Sequence, residues 1–318
     1  MNLFLRRIVA ASALLALIGS TAGSAGAADA PKPEKTKLVF GIIPTPDYVP
    51  VEIAVQKGYF KDEGLDVSVR IVPTVGVIPG LLGGTIDIAG LNWIVTLVAY
   101  NRGVPIRVAA EADRGTAHYA EIVVKANSPI KSVRDLVGKK MASPSAPPGN
   151  CDVPVRIEMR NMKADDSSVG FTDLAIPQMP STLASGGIDA ACLPEPLLSA
   201  VMPAGNIRSI FDVFGGPRVG TPVVNFATSV DFAEKNPNTL AALKRAIARA
   251  ERFCVDHQDQ IRATLPAFNH ITAEQAKVVV LPTYVTRPDQ SVVNRLAKTL
   301  VETGFLPAAP KIPKIGGP

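Results

Sequence analysis

The side chains best suited to catalysis or to holding a metal are three histidines and three cysteines, and their spacing matches no catalytic or metal-binding pattern. His257 falls in the long carboxy-terminal helical pattern, and His118, His257 and His270 show no His-Glu-x-x-His arrangement and no grouping that reads as a zinc site. The sequence also lacks a Gly-x-Ser-x-Gly elbow, a P-loop and a Gly-x-Gly-x-x-Gly turn after a strand. No catalytic residue, metal or cofactor is therefore expected. The chemistry left to consider is the reversible holding of a solute by carboxylates, amides, hydroxyls and rings.

Which of those groups can converge depends on the elements that carry them. Short apolar strands alternate with helix-like segments, the signature of an α/β fold with a mostly parallel sheet covered by helices. Strands are predicted at 37–43, 65–72 and 86–91, and helices at 51–60, 77–82 and 93–101. The same order recurs with strands at 140–143, 169–174 and 188–193 and helices at 155–162, 181–185 and 196–201. Val49-Pro50-Val51 recurs as Val153-Pro154-Val155, and Ile86-Asp87-Ile88-Ala89 as Ile188-Asp189-Ala190-Ala191, both at an offset of about 100 residues. Two doubly wound lobes built from one template follow.

Ligands of such sheets bind beyond the carboxyl ends of the strands, where helices begin. In the first lobe that position holds Thr45, Asp47 and Tyr48, then Asn92 and Trp93. In the second it holds Ser143, Ser145, Asn150, Cys151 and Asp152, then Glu195. Glu195 could start the following helix or aim its carboxylate at an amino group, with the anionic end of the same solute on helix N–H groups. Trp93 could form a stacking wall or an interior ring. Asp47 and Asp152 read as helix-start caps before they read as ligand anchors. Thr45, Ser143 and Ser145 offer hydroxyl donors to an oxyanion. Asp87 and Asp189 suit turn capping, and Gly58, Gly64 and Gly138 suit turns with positive φ.

The strand order has a consequence for the cysteines. With the first and third strands of the second lobe side by side, Cys151 and Cys192 become neighbours, close enough for a disulfide without requiring one. Cys254 lies in a helical pattern with Leu240, Leu243, Ile247 and Ala250, as a buried small hydrophobe in the other lobe.

The amino terminus reads as a signal peptide over residues 1–28: Arg6 and Arg7, an apolar run at 8–18 and Ala25-Gly26-Ala27 before the cut. The run is too short to span a bilayer, which takes about 20 apolar residues. This leader contains no cysteine to acylate, so an exported protein without a lipid anchor is expected, in a periplasm. Removing the leader lowers the formal charge from +5 to about +3. No basic block is interleaved with aromatics, which excludes a nucleic-acid partner.

Lys57-Gly58-Tyr59-Phe60-Lys61-Asp62-Glu63-Gly64-Leu65-Asp66-Val67 resembles an early motif of the nitrate, taurine and sulfonate binding proteins of ABC importers, whose relatives include carriers of thiamine-precursor pyrimidines. Gly84-Thr85-Ile86-Asp87, 135–140, 187–191, Glu195-Pro196 and Lys235-Asn236-Pro237 extend the resemblance over 37–290. It implies a type II periplasmic binding protein fold whose two lobes are joined by a two-strand hinge. A linker at 29–36 would precede lobe 1 at 37–117 plus 225–305. Lobe 2 would span 118–224, with a flexible tail at 306–318. Asn236 would cap the long helix begun by Pro237. The implied function is capture of a small organic anion, or alternatively a pyrimidine, by a monomer that hands it to permease subunits in the inner membrane. A sensory solute receptor shares this fold, and a fungal relative that makes the thiamine pyrimidine is an enzyme. The run Ser143-Pro144-Ser145-Ala146-Pro147-Pro148-Gly149-Asn150-Cys151 departs from the family pattern, because its three prolines remove three backbone donors.

Overall fold

A computed structural model describes residues 31–315, and the leader expected over 1–28 lies outside them. Along the chain the strands are β1 (Lys37–Ile42), β2 (Asp66–Ile71), β3 (Ile88–Asn92), β4 (Ile106–Glu111), β5 (Asp113–Arg114) and β6 (Ala120–Lys125). They continue as β7 (Lys140–Ser143), β8 (Gly170–Asp173), β9 (Ala190–Pro194), β10 (Ile207–Asp212), β11 (Val224–Ser229) and β12 (Thr283–Tyr284).

Two five-stranded sheets form, in the orders β2-β1-β3-β11-β4 and β10-β6-β9-β7-β8. In the first, β1 pairs in parallel with β2 and β3, while β11 runs antiparallel to β3 and β4. In the second, β7 pairs in parallel with β8 and β9, while β6 runs antiparallel to β9 and β10. The two orders are one pattern. Each lobe's antiparallel strand, β11 in the first and β6 in the second, follows a crossing of the chain between lobes. This is the expected α/β type II arrangement with a two-strand hinge.

Burial on both faces explains why the central strands are apolar throughout. Phe40, Ile88 and Phe226 pack on one side of the first sheet with the helices Val49–Gln56 and Pro237–Asp256, and Ala89, Leu91 and Ala227 pack on the other with Thr74–Leu82 and Trp93–Asn101. In the second sheet Ala191 and Leu193 meet Met179 and Leu183, while Met141, Ala190 and Cys192 meet Val155 and Met159.

The repeated acids have matching roles. Asp87 Oδ2 accepts from Val39 N at 2.9 Å and Asp189 Oδ2 accepts from Lys140 N at 2.9 Å, so each pins the start of its lobe's third strand to the first. Both therefore hold backbone 48 and 49 residues away in sequence rather than capping a local turn as their position after a glycine suggests. Gly58 and Gly138 sit at φ 73° and 71°, where a Cβ would be strained.

Three expectations need correction. The helix Pro237–Asp256 follows Asn236, but the Asn236 side chain makes no cap; Glu34 instead accepts from Asn238 N and Thr239 N at 3.0 and 2.8 Å. Part of the expected linker thus serves as a cap from about 200 residues away in sequence. His257 lies at the break between that helix and Gln258–Asn269 rather than inside one helix. The described part of the tail is packed: Leu306 and Ile315 are buried with Leu300 and Val293, and Ile315 N donates to Gln290 Oε1. Its sparse apolar residues suffice because they cover the helix Gln290–Glu302.

Candidate functional site

The strand ends of the two sheets face each other across a cavity of about 110 Å³. Thr45, Asp47, Tyr48 and Asn92 line it from the first lobe, and Ser145, Asn150 and Cys151 from the second. These seven of the expected positions come together because equivalent loops of a repeated unit end at the same cleft.

Four others do not. Trp93 is fully buried among Val153, Leu296 and Leu300, where the helix Gln290–Glu302 covers it. Ser143 is buried under its loop. Asp152 faces the other way, accepting from Gly149 N at 2.7 Å beside Arg156; its desolvation raises the carboxyl to a pKa of about 6 against the opposing pull of those partners. Glu195 accepts from Ser199 N, Ser199 Oγ and Val280 N at 3.1, 2.6 and 2.9 Å. It ties the end of β9 to the segment after the helix Ala273–Val278 and does not line the cavity. Burial raises its pKa above the ordinary value, opposed by those hydrogen bonds.

The centre of the site is a buried network that crosses between lobes. Asp47 Oδ2 accepts from Tyr119 OH at 2.5 Å and from Thr45 Oγ1. Asp113 Oδ1 accepts from Val224 N at 3.0 Å. The remaining oxygens, Asp47 Oδ1 and Asp113 Oδ2, are buried, and apart from the hydrogen bond between the two acids themselves no donor meets them among the described residues. Burial, then the charge of Asp47 and a hydrogen bond to it, hold the Asp113 carboxyl well above the usual range, so Asp113 keeps its proton and donates it to Asp47. Burial and the same two acids push the phenols of Tyr48 and Tyr119 up, keeping them protonated. Asp47 lies after β1, Asp113 on the outgoing crossing, Val224 on the returning one and Tyr119 at the entry to β6. One hydrogen-bonded chain therefore links both lobes and both crossings.

Sequence reasoning missed two aromatic members, Tyr119 and Phe214. Neither has a repeat equivalent, since Tyr119 lies on a crossing and Phe214 follows β10. Tyr119 beside His118 at the crossing was the available signal, and it is the tyrosine that reaches the cleft. His118 is exposed, bonded to Glu121 at 2.7 Å. Two glycines make room for rings: a Cβ on Gly90 would lie 2.1 Å from Tyr48 Cε1, and one on Gly115 would lie 2.4 Å from Phe214 Cδ1.

The second wall is cross-linked. Cys151 and Cys192 form a disulfide with Cα atoms 6.1 Å apart, joining the start of the helix Asp152–Asn161 to β9. Cys254 is free and buried. Two further contacts close the cleft, Thr74 Oγ1 to Pro144 O at 3.2 Å and Asn150 Nδ2 to Val223 O at 3.3 Å. Among the described residues no group of acids, histidines and cysteines could hold a metal, and no helix is long and apolar enough to cross a membrane.

A family model described as NMT1/THI5 like matches residues 45–261. The nitrate/nitrite binding protein NrtA of Nostoc sp. is 30% identical over 254 residues, 73% of this chain and 57% of that protein. The chain thus spans little more than half of that relative. The 4-amino-5-hydroxymethyl-2-methylpyrimidine phosphate synthase THI11 of Saccharomyces cerevisiae is 32% identical over 110 residues, 34% of this chain and 32% of the enzyme. The alkanesulfonate-binding protein SsuA from Xanthomonas axonopodis pv. citri, bound to MOPS, superposes with a TM-score of 0.74 at 17% identity, covering 88% of this chain and 97% of that one. At that identity the likeness concerns the fold.

Proposed function

The chain belongs to the NMT1/THI5-like family, and from that premise we propose that it is the periplasmic solute-binding component of an ABC importer. It would capture one small organic solute per chain between its lobes and present the closed form to permease subunits in the inner membrane. The observation that carries this reading is the interlobe cavity sealed by the Tyr119 to Asp47 bond. A solute touching both walls would favour the closed state through contacts absent from the open one.

The nitrate/nitrite-binding relative supports a role in solute capture, and the basic, apolar and small-residue order of residues 1–28 supports export. A monomer suffices, because one chain supplies both walls. The synthase relative raises the alternative of an enzyme. Against it stands the cleft itself, whose one carboxylate is already engaged by Thr45, Tyr119 and Asp113. Such a group is a poor general base.

The test is native mass spectrometry of the purified chain, followed by thermal-shift screening with the released solute. A ligand of the folded chain at a hundredfold excess over its Kd raises stability by about 2.7 kcal/mol. One solute recovered unaltered after incubation is expected. Conversion of that solute to a product would contradict the binding role.

A further inference from the structure

Given a solute-binding cleft, we infer that the part of the solute held in it is uncharged and presents adjacent hydrogen-bond acceptor and donor groups, as an amide, lactam or cyclic urea does. Three observations about the same cavity carry this. Among the described residues its lining contains no lysine, arginine or histidine. A bound anion would be desolvated without a counter-charge, above the negative charge of the Asp47 and Asp113 pair.

Backbone donors do not replace the missing cation. Pro46 and Pro50 remove N–H groups at the first helix start, Pro144, Pro147 and Pro148 remove them from the facing loop, and Pro194 ends β9. Several of the N–H groups that remain nearby are spent internally: Thr45 N on Ile43 O, Trp93 N on Val223 O, Val95 N on Asn92 Oδ1 and Gly149 N on Asp152 Oδ1. The hydroxyls of Thr45, Thr74 and Tyr119 are donated within the protein as well, which leaves those of Tyr48 and Ser145 as neutral donors in the lining. The side-chain donors that remain at these helix starts are therefore uncharged.

A cation fares no better. Asp47 Oδ2 already accepts two hydroxyls and Oδ1 is buried, so neither carboxylate oxygen is open to an ammonium in the cavity. The uncommitted polar side-chain atoms of the lining are all neutral: the hydroxyls of Tyr48 and Ser145 and, on opposite walls, one atom each of two amides. Asn92 uses Oδ1 as a helix cap, which leaves its Nδ2 as a donor; Asn150 uses Nδ2 on Val223 O, which leaves its Oδ1 as an acceptor. Around them Tyr48, Tyr119 and Phe214 offer ring faces and edges. A neutral planar group can pair with both amides and meet the hydroxyls of Tyr48 and Ser145 without burying a charge.

Isothermal titration of the purified chain with three matched sets tests this. The sets are neutral (2-pyrrolidone, nicotinamide, uracil, benzamide), anionic (nitrate, ethanesulfonate, benzoate) and cationic (benzamidine), alongside the solute released from the protein. The tightest binder is expected to be neutral, and at least tenfold tighter than its charged counterpart of the same shape. Asn92→Asp keeps the cap on Val95 N but replaces the donor by a carboxylate oxygen, and should weaken the neutral binder at least tenfold with the melting point unchanged. A tightest binder that is an anion or a cation, or an Asn92→Asp variant with unchanged affinity, overturns the assignment. If no solute of any class binds, the solute-binding reading falls, and this assignment falls with it.

Discussion

The phenol of Tyr119, at the entry to β6, donates to Oδ2 of Asp47, at the end of β1, at 2.5 Å. It is a charge-assisted bond between lobes, buried at both ends, and Tyr119→Phe removes it while leaving the ring in place. Hydrogen bonds to charged groups contribute roughly 1.5 to 3 kcal/mol. The variant should therefore bind solute about 10 to 100 times more weakly, read by titration calorimetry, with both lobes still folded by circular dichroism. Unchanged affinity would remove this bond from the closing mechanism.

Glu195 gives the opposite expectation. Its three hydrogen bonds lie outside the cavity, so Glu195→Ala strands buried donors rather than a solute. Stability should fall by about 2 to 4 kcal/mol in urea titration, while solute affinity stays within about threefold of wild type. A large loss of affinity at preserved stability would return Glu195 to the binding surface.

The disulfide closes a loop with a separation of 41 residues, for which the chain-entropy relation gives about 4 kcal/mol. The double variant Cys151→Ser, Cys192→Ser should lose stability of that order. Thiol counting on denatured, unreduced protein should find one thiol, that of Cys254. Three thiols would show that the bond does not form.

Asp152 supplies a pH signature. Its pKa rises from 3.8 in the unfolded reference to about 6 in the fold, so the folded chain holds the proton more tightly. Its effect is most favourable below about 4, and stability is lost as the pH rises to about 6. The loss from this group is on the order of 3 kcal/mol. Asp152→Asn should flatten the melting-temperature profile between pH 4 and 6 relative to wild type. Parallel profiles would contradict the assignment.

Strand order and the cleft were legible because alternation and the internal repeat are local signals. The helix at 93–101 and the strand at 140–143 fall where the sequence places them. The added strands β4, β6 and β10 were not legible as a set, because they have no partner in the Val49-Pro50-Val51 and Ile86-Asp87 repeat pattern. The Glu34 cap depends on a meeting of segments about 200 residues apart, which no local window contains. Trp93 and Glu195 were placed by being first after a strand. That position fixes the backbone at the cleft but not the side chain, and each turned to the nearest packing or donor available: Trp93 to Leu296, Glu195 to Val280 N. Tyr119 and Phe214 stayed hidden because crossings and lobe edges lie outside the repeat.

Gly90 tests the aromatic wall. With Tyr48 only 2.1 Å from the position of an added Cβ, Gly90→Ala should displace the ring and weaken binding by about tenfold or more, since overpacking forces shifts costing about 1 to 3 kcal/mol. Unaltered affinity and stability would show that Tyr48 is free to move.

Closure of two lobes on one solute is most directly measured by small-angle X-ray scattering of the purified chain, with and without the solute that raises its melting point. A reduced radius of gyration on saturation is expected, together with a smaller reduction in Tyr119→Phe. A solute that shifts the melting point but leaves the radius of gyration of both proteins unchanged would contradict closure.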